Sequence, residues 1–284
     1  MESSRNSAFF ASLVRKLFGP KMNYRVRYYH QRGHWPNLEN PKDLSEHIIS
    51  EMFSPGFEKY ARFADKYLVR EYIKEKGLER ILLKHYGVWD KPEEIDFEPL
   101  PEKFILKANN GSGPHVICKD KSSLIKDEAI KTLNVALELG EKMIEPHYRA
   151  IVPKVFCEEL IDTGTDEWPT DYKFTCIEGE ICDVFVATER RTSTKYCTLD
   201  LDWNVLPYTR KEYMPDVLPE KPRLLKEMAE IAKILSKDFK FVRVDLYEYH
   251  GQVFFSELTF TPWGGLMYSY TNEALELLGS KFSK

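Results

Sequence analysis

The sequence predicts an α+β protein with a helical N-terminal region and much antiparallel sheet. Two observations indicate this fold class. Apolar residues before residue 77 recur at three- and four-residue spacing, whereas short apolar runs bounded by turn residues dominate from residue 104 onwards. Successive short runs joined by tight turns are typical of antiparallel hairpins. The chain has 284 residues, which is enough for one large domain or two small ones.

The first predicted element is an amphipathic helix near the N-terminus. Apolar residues between Phe9 and Phe18 follow helical spacing, and Gly19-Pro20 ends the pattern. We expect this basic helix to pack on its own domain; contact with a membrane surface or a partner is the alternative. No apolar run approaches the roughly 18–20 residues of a membrane span, and the first run is too short for a signal-peptide core.

The middle of the chain passes from helix to strand. The helical pattern over 45–76 ends at Gly77, which is where a C-capping glycine belongs. An acidic, proline-bearing loop over 92–101 then marks a boundary. The remaining predicted elements are strands at 104–106, 116–118, 152–159, 172–177, 181–187, 241–247 and 253–260, and helices at 126–143, 224–235 and 272–278.

The composition is that of a globular protein and narrows the classes of function. Lys and Arg total 41 against 45 Asp and Glu, a formal charge of −4, which argues against a protein held mainly by nucleic-acid phosphates. A hydrophobic fraction of 43% excludes global disorder. The five cysteines include no Cys-x-x-Cys pair, so we expect neither a disulfide framework nor a zinc site. We therefore expect the protein to lie in the reducing cytoplasm.

The last two predicted strands bring acidic residues together. Strand alternation puts Arg243 and Asp245 on one face, and Glu257 and Thr259 on one face of the next strand. A three-residue loop centred on Gly251 would set Asp245 directly opposite Glu257. Opposed carboxylates repel unless a cation lies between them, and Mg²⁺ typically binds one or two carboxylates plus substrate phosphates. A solvent-facing hairpin with ordinary charges is the alternative.

Two further segments have the residue types of a nucleotide site. Lys107 ends a predicted strand before a Gly/Ser-rich turn, 109–113, which offers backbone N–H groups and an ammonium group to a phosphate. This turn is not a Walker A motif, since it lacks Gly-Lys-Ser/Thr, and a glycine-rich hairpin without a ligand is an equal alternative. The Glu158-Glu159-Leu160 segment closes an apolar run, either as an adenine-binding edge or as a plain strand end.

These motifs follow one another in an order that resembles the ATP-grasp superfamily. They are a helical lysine (Lys66), a strand lysine before a glycine-rich loop, paired glutamates, Arg-x-Asp and Glu-x-Thr. A closer resemblance is to the TupA-like ATP-grasp family, named for teichuronopeptide synthesis, and it covers about residues 44–278. The segments that carry it are 64–70, 106–113, 171–174, 199–204 and 242–247.

The resemblance implies the ATP-grasp fold, in which two α+β subdomains clasp ATP. The implied regions are an N-terminal helical, substrate-side region at 1–100, a lid subdomain at 101–160 and a C-terminal catalytic subdomain at 161–284. We then expect the phosphates to contact the lysines, an arginine and the glycine-rich loop. We expect adenine and ribose to contact the paired glutamates and the residue that follows them. These residues are Lys66, Arg70, Lys107, Gly111, Ser112, Gly113, Glu158, Glu159 and Leu160.

For metal binding and catalysis, the resemblance implies that Asp245 and Glu257 bind Mg²⁺ and that Arg243 stabilises the transferring phosphoryl group. Lys173 is expected to face phosphate or substrate. Thr259 stands where many superfamily members have asparagine, and its hydroxyl is a weaker ligand than an amide oxygen. TupA-like sequences share this threonine, which we interpret as a variant of the site.

The implied activity is an ATP-dependent carboxylate–amine ligase that forms an acyl phosphate and modifies a cell-surface polysaccharide or its precursor with an amide-linked amino acid or amine. The alternatives are a phosphotransferase acting on a sugar hydroxyl or a protein, and a non-catalytic nucleotide-binding module. Expected partners are ATP, Mg²⁺, a carboxylate substrate and an amine acceptor. Arg190, Arg191 and Lys195 either grip an acidic substrate or form a solvated basic loop.

Overall fold

The computed structural model describes residues 2–164, 169–188 and 194–283, with the backbone alone for 2–16. Within these residues, the chain forms helices and two antiparallel sheets. The strands are β1 (His85–Trp89), β2 (Phe104–Ala108), β3 (Val116–Cys118), β4 (Val155–Glu159), β5 (Asp171–Ile177), β6 (Glu180–Thr188), β7 (Lys195–Leu199), β8 (Phe241–Tyr249) and β9 (Gln252–Thr259). The helices are α1 (Glu2–Arg32), α2 (Leu44–Met52), α3 (Ala61–Ala64), α4 (Val69–Glu75), α5 (Lys126–Glu141), α6 (Pro146–Arg149), α7 (Leu225–Ser236) and α8 (Asn272–Gly279).

The smaller sheet has the strand order β1-β4-β2-β3. Helix α5 packs against it because Leu133 and Ala136 on one helical face are fully buried, and Leu133 shares a core with Phe104 and Val155. This core is separate from that of the larger sheet. Strand β1 comes from the region predicted as helical, 1–100, and pairs with β4.

The larger sheet has the order β7-β6-β5-β8-β9. Alternation along its strands separates the two faces. Phe174 and Val244 point into a core that they share with Met228 of α7, whereas Lys173 and Asp245, one residue along from each of them, lie on the opposite face in register with each other. The polar face is therefore available for a site.

The β8–β9 hairpin turns at His250-Gly251, which both have positive φ (48° and 73°), as a two-residue type I′ turn requires. The predicted three-residue loop is therefore wrong. A β-bulge compensates, because the register shifts between Asp245 and Leu246. Asp245 consequently lies opposite Glu257, as the sequence predicted. The two-residue turn and the bulge together produce this pairing, in place of the predicted three-residue loop.

The N-terminal half follows the predicted pattern at one place and differs from it at another. Helix α1 consists of two helical segments that meet at Gly19, whose φ of 81° and ψ of 173° are not helical, so the first segment ends at Gly19-Pro20 as predicted. The side chains before Leu17, which would form its apolar face, lie outside the described part. The predicted helix over 45–76 is divided into α2, α3 and α4. Pro55 and Gly56 (φ 82°) interrupt it between α2 and α3, and the extended backbone of Asp65 (ψ 115°) ends α3. No helix among the described residues has the length and hydropathy needed to cross a membrane.

Candidate active site

A cavity of about 240 Å³ lies between the two sheets. Both sheets contribute to its lining, as do the α3–α4 connection and the glycine-rich loop. The predicted site residues among its lining are Lys66, Arg70, Lys107, Ser112, Gly113, Glu158, Lys173 and Glu257. The cavity therefore brings together residues that are up to 191 positions apart, as Lys66 and Glu257 are.

Lys66 is held in place by its neighbour Asp65. The Asp65 carboxylate accepts hydrogen bonds from the backbone N–H groups of Tyr67 and Leu68 and from Asn109 Nδ2 (2.8 Å). These contacts fix the start of α4 against the root of the glycine-rich loop. Lys66 Nζ consequently donates to the Gly111 carbonyl (2.5 Å) and lies 3.5 Å from Glu257 Oε2. The predicted triphosphate lysine thus joins the loop to the predicted metal ligand.

Lys107 and Glu158 lie on the neighbouring strands β2 and β4, and Lys107 Nζ donates to Glu158 Oε1 (2.5 Å). The loop that follows Lys107 packs closely against α5. A Cβ on Gly113 would lie 2.8 Å from Ala136 Cα, so only glycine fits there. The loop backbone therefore approaches both the helix and the cavity.

Arg70 also reaches the cavity, from the first turns of α4. Its Nη2 donates to the Leu83 carbonyl (2.9 Å). Burial lowers the pKa of Arg70, although the side chain remains cationic near neutral pH because an arginine pKa starts above 12. Arg70 can therefore add positive charge beside Lys107.

A second cavity of about 160 Å³ adjoins the first and is more apolar. Glu159 and Leu160 line this second cavity, whereas Glu158 lines the first. The two cavities share Leu83, Lys107, His115 and Tyr247. An apolar slot next to a cationic cavity has the shape expected for a base beside its phosphates.

On the larger sheet, Lys173, Asp245 and Glu257 form one row across three strands. Arg243 donates two hydrogen bonds to Asp245, from Nε to Oδ1 and from Nη2 to Oδ2, both 2.7 Å long. Lys173 Nζ contacts Asp245 and also Asp171 Oδ2 (2.5 Å). Asp245 is fully buried behind these two cations.

Glu257 is the acid of this row that lines the cavity. Burial alone would raise its pKa. The positive charge of Lys66, followed by those of Lys173 and Arg243, outweighs burial and lowers the pKa of Glu257 to about 2. Glu257 is consequently ionised at neutral pH, as a metal ligand must be.

The predicted metal ligands are oxygen donors of the kind that Mg²⁺ prefers. Thr259 Oγ1 lies 3.2 Å from Glu257 Oε1, so the predicted metal ligands Asp245, Glu257 and Thr259 are neighbours. The described residues contain no group of three or more His, Cys, Asp or Glu side chains that could hold a metal ion by themselves. Mg²⁺ commonly takes one or two carboxylates and completes its shell with phosphate oxygens and water.

The structure adds site residues that the sequence reasoning missed. Asp171 lines the cavity and contacts Lys173; its position two residues before Lys173, on the same strand face, was the available signal. His115, just after the glycine-rich loop, carried no comparable pattern. Arg190 and Arg191 lie outside the described residues, and Lys195 Nζ donates to the Glu212 carbonyl (3.0 Å).

Comparison with known families gives a match over most of the chain. The family described as TupA-like ATPgrasp matches residues 46–283. The chain belongs to the TupA-like ATP-grasp family. This membership confirms the predicted family, and the mixed helices and antiparallel sheets confirm the predicted α+β fold class.

Solved structures similar to this chain include ligases. D-alanine–D-alanine ligase from Helicobacter pylori is 17% identical, with a TM-score of 0.47 over 86% of this chain and 68% of that one. L-amino acid ligase from Bacillus licheniformis is 13% identical, with a TM-score of 0.48 over 89% and 58%. The ATP complex of D-alanine–D-alanine ligase from Bacillus anthracis is 14% identical, with a TM-score of 0.40 over 76% and 55%. The chain thus spans between half and about two thirds of these proteins. A comparison with curated proteins found no match.

Proposed function

We propose that this protein is an ATP- and Mg²⁺-dependent ligase that activates a carboxylate as an acyl phosphate and joins it to an amine. Membership of the family supports the proposal. The observation that carries it is the row Lys173–Asp245–Glu257 beside a cavity that Lys66 and Lys107 also line. Cations for a triphosphate and acids for a divalent ion thereby meet at one place.

In this proposal the nucleotide lies across both cavities. The base enters the apolar slot next to Leu160, and the triphosphate lies among Lys66, Arg70 and Lys107. Glu257, supported by Asp245, would hold Mg²⁺ against the end of the triphosphate. Bound there, the ion supplies charge neutralisation and alignment of the phosphate oxygens.

The chemical sequence has two displacements. A carboxylate oxygen of the substrate attacks the γ-phosphorus, the bond to the β-phosphate oxygen breaks and ADP leaves, which gives an acyl phosphate. The amine nitrogen then attacks the acyl carbon, phosphate leaves, and the nitrogen loses a proton. Arg243 and Lys173 contribute positive charge where the phosphoryl oxygens become more negative, and the fold contributes orientation.

We place the substrate among cell-surface polysaccharides or their precursors, with an amino acid or amine as acceptor, and the reaction in the cytoplasm. The support for this assignment is the resemblance to a family named for teichuronopeptide synthesis. The assignment of the lid to 101–160 and of the catalytic subdomain to 161–284 belongs to the same proposal, with β1 joining the lid sheet.

The test is incubation with ATP, Mg²⁺ and sets of candidate carboxylates and amines, followed by measurement of ADP, free phosphate and product mass. Equal amounts of ADP, phosphate and amide product are expected. A phosphorylated product without free phosphate would assign a phosphotransferase instead. Nucleotide binding without any turnover would assign a non-catalytic module.

A further inference from the structure

His115 lies where the two cavities of the site meet. It is one of the residues that line both the cationic cavity and the apolar slot. It lies two residues after the glycine-rich loop, beyond Pro114, and directly precedes β3. A nucleotide with its base in the slot and its phosphates in the cavity has its ribose at this junction.

The other polar residues at the junction already have partners. Lys107 Nζ donates to Glu158 Oε1 (2.5 Å), and the Tyr247 hydroxyl accepts from Ser256 Oγ (3.1 Å). His115 Nδ1, in contrast, is buried and has no hydrogen-bond partner within the described residues. A buried polar atom without a partner is costly, and a ligand hydroxyl would remove that cost.

The charge state of His115 suits a hydroxyl better than a phosphate. Burial, together with the positive charges of Lys107 and Lys66, lowers the pKa of His115 to about 4. The imidazole is therefore neutral at pH 7 and offers one donor and one acceptor nitrogen. The neighbouring lysines supply the charges that phosphates need.

We propose that His115 hydrogen-bonds a ribose hydroxyl of the bound nucleotide and makes the site select ribonucleotides over deoxyribonucleotides. This inference depends on the proposed function, since it requires ATP in the cavity. A site with a buried group placed for a substrate hydroxyl rejects the analogue that lacks it, because that group is then left unpaired. The role is one of specificity and leaves the phosphoryl chemistry to other residues.

The experiment measures dissociation constants by calorimetry for ATP, 2′-deoxy-ATP and 3′-deoxy-ATP, with Mg²⁺ throughout. We expect the unmodified protein to bind one deoxy analogue about fivefold to tenfold more weakly than ATP. His115→Phe should bind ATP as weakly as that analogue and lose the discrimination. His115→Gln, whose amide can still hydrogen-bond, should keep part of it.

His34→Phe is the matched control, because His34 is exposed and lines neither cavity; it should behave as the unmodified protein does. Melting temperatures without nucleotide check that each variant folds. The dissociation constants of the unmodified protein for ATP and the two deoxy analogues test the inference without any variant. Equal affinity for ATP and both analogues, or unchanged discrimination in His115→Phe, overturns the role of His115 while ATP binding stands. No binding of any nucleotide overturns the proposed function as well.

Discussion

Glu257 and Asp245 share one sheet face but have different surroundings. Glu257 lines the cavity, whereas Asp245 is fully buried and bound by Arg243 and Lys173. Removing Asp245 would take away the two 2.7 Å hydrogen bonds of Arg243 and one of the two carboxylate partners of Lys173, which is destabilising for buried charges. Glu257 is therefore the better residue for testing the metal site without disturbing the fold.

For Glu257→Gln, we expect an intact fold and a loss of Mg·ATP turnover on the order of 100-fold. The amide keeps the size of the side chain and removes the charge that the ion requires. ADP release measures turnover, and the melting temperature without ligand reports the fold. Glu276→Gln, at an exposed position on α8, is the control and should keep full activity. Turnover unchanged in Glu257→Gln would place the metal elsewhere.

His147 makes stability depend on pH. It is fully buried between the rings of Phe57 and Phe260, and neither ring nitrogen has a partner within the described residues. Burial lowers its pKa to about 3, below the roughly 6.5 of an unfolded histidine. The unfolded chain therefore binds more protons between these values, and stability falls as the pH falls below about 6.5.

Replacing His147 should remove this part of the acid sensitivity. From pH 7 to pH 5 the native protein should lose about 2 kcal/mol of unfolding free energy through His147. The ring of His147→Phe suits the aromatic surroundings. Over the same pH range this variant should lose about 2 kcal/mol less unfolding free energy than the native protein. Urea unfolding at both pH values measures the difference. His34→Gln, at an exposed position, should follow the native protein, and parallel pH curves for native and His147→Phe would contradict the argument.

At the scale of elements, helix α5 supports the glycine-rich loop. Gly140 on α5 lies against Asn110, so a Cβ there would overlap the side chain and the backbone carbonyl of Asn110. Alanine ordinarily favours a helix over glycine by about 1 kcal/mol. Here the overlap outweighs that preference, because the contact includes backbone that cannot rotate away.

We expect Gly140→Ala to lower stability by about 1–3 kcal/mol and to weaken ATP binding, because the loop is displaced from its position on α5. Calorimetry and urea unfolding measure the two effects. Leu139→Ala, at the neighbouring exposed position, is the control and should change neither by more than about 0.5 kcal/mol. A more stable Gly140→Ala with native ATP affinity would show that the loop does not depend on this contact.

The sequence predicts an element when the signal lies within that element, and it misses an element that is defined by contact with a distant segment. Alternation along 241–260 predicts the pairing of Asp245 with Glu257, although the bulge that achieves it has no sequence signal. Strands β1 and β7 were missed. β1 is half-buried along its length and is defined by its pairing with β4, which is a contact between distant segments. The same holds for His115, whose position matters only once the two sheets enclose the cavities.

At the scale of the molecule, the site lies between two bodies with separate cores. Phe104, Leu133 and Val155 belong to the core of the smaller sheet, whereas Phe174 and Val244 belong to that of the larger sheet. A ligand that contacts residues from both sides connects them. Its binding then stabilises the arrangement of the two sheets by an amount that grows with the logarithm of the free ligand concentration above the dissociation constant.

Nucleotide binding should therefore slow amide hydrogen exchange most strongly in segment 106–118, which carries Lys107, the glycine-rich loop and His115. Helix α7 lies in the core of the larger sheet, away from the cavity lining, so its exchange should not change. Exchange followed by mass spectrometry, with and without Mg·ATP, measures both segments in one sample. Lys107→Met, which removes one phosphate contact, should need about tenfold more ATP for the same protection, since a hydrogen bond to a charged group contributes about 1.5 kcal/mol or more. Equal protection of 106–118 and α7 would mean that ATP stabilises the whole chain uniformly and does not close one sheet against the other.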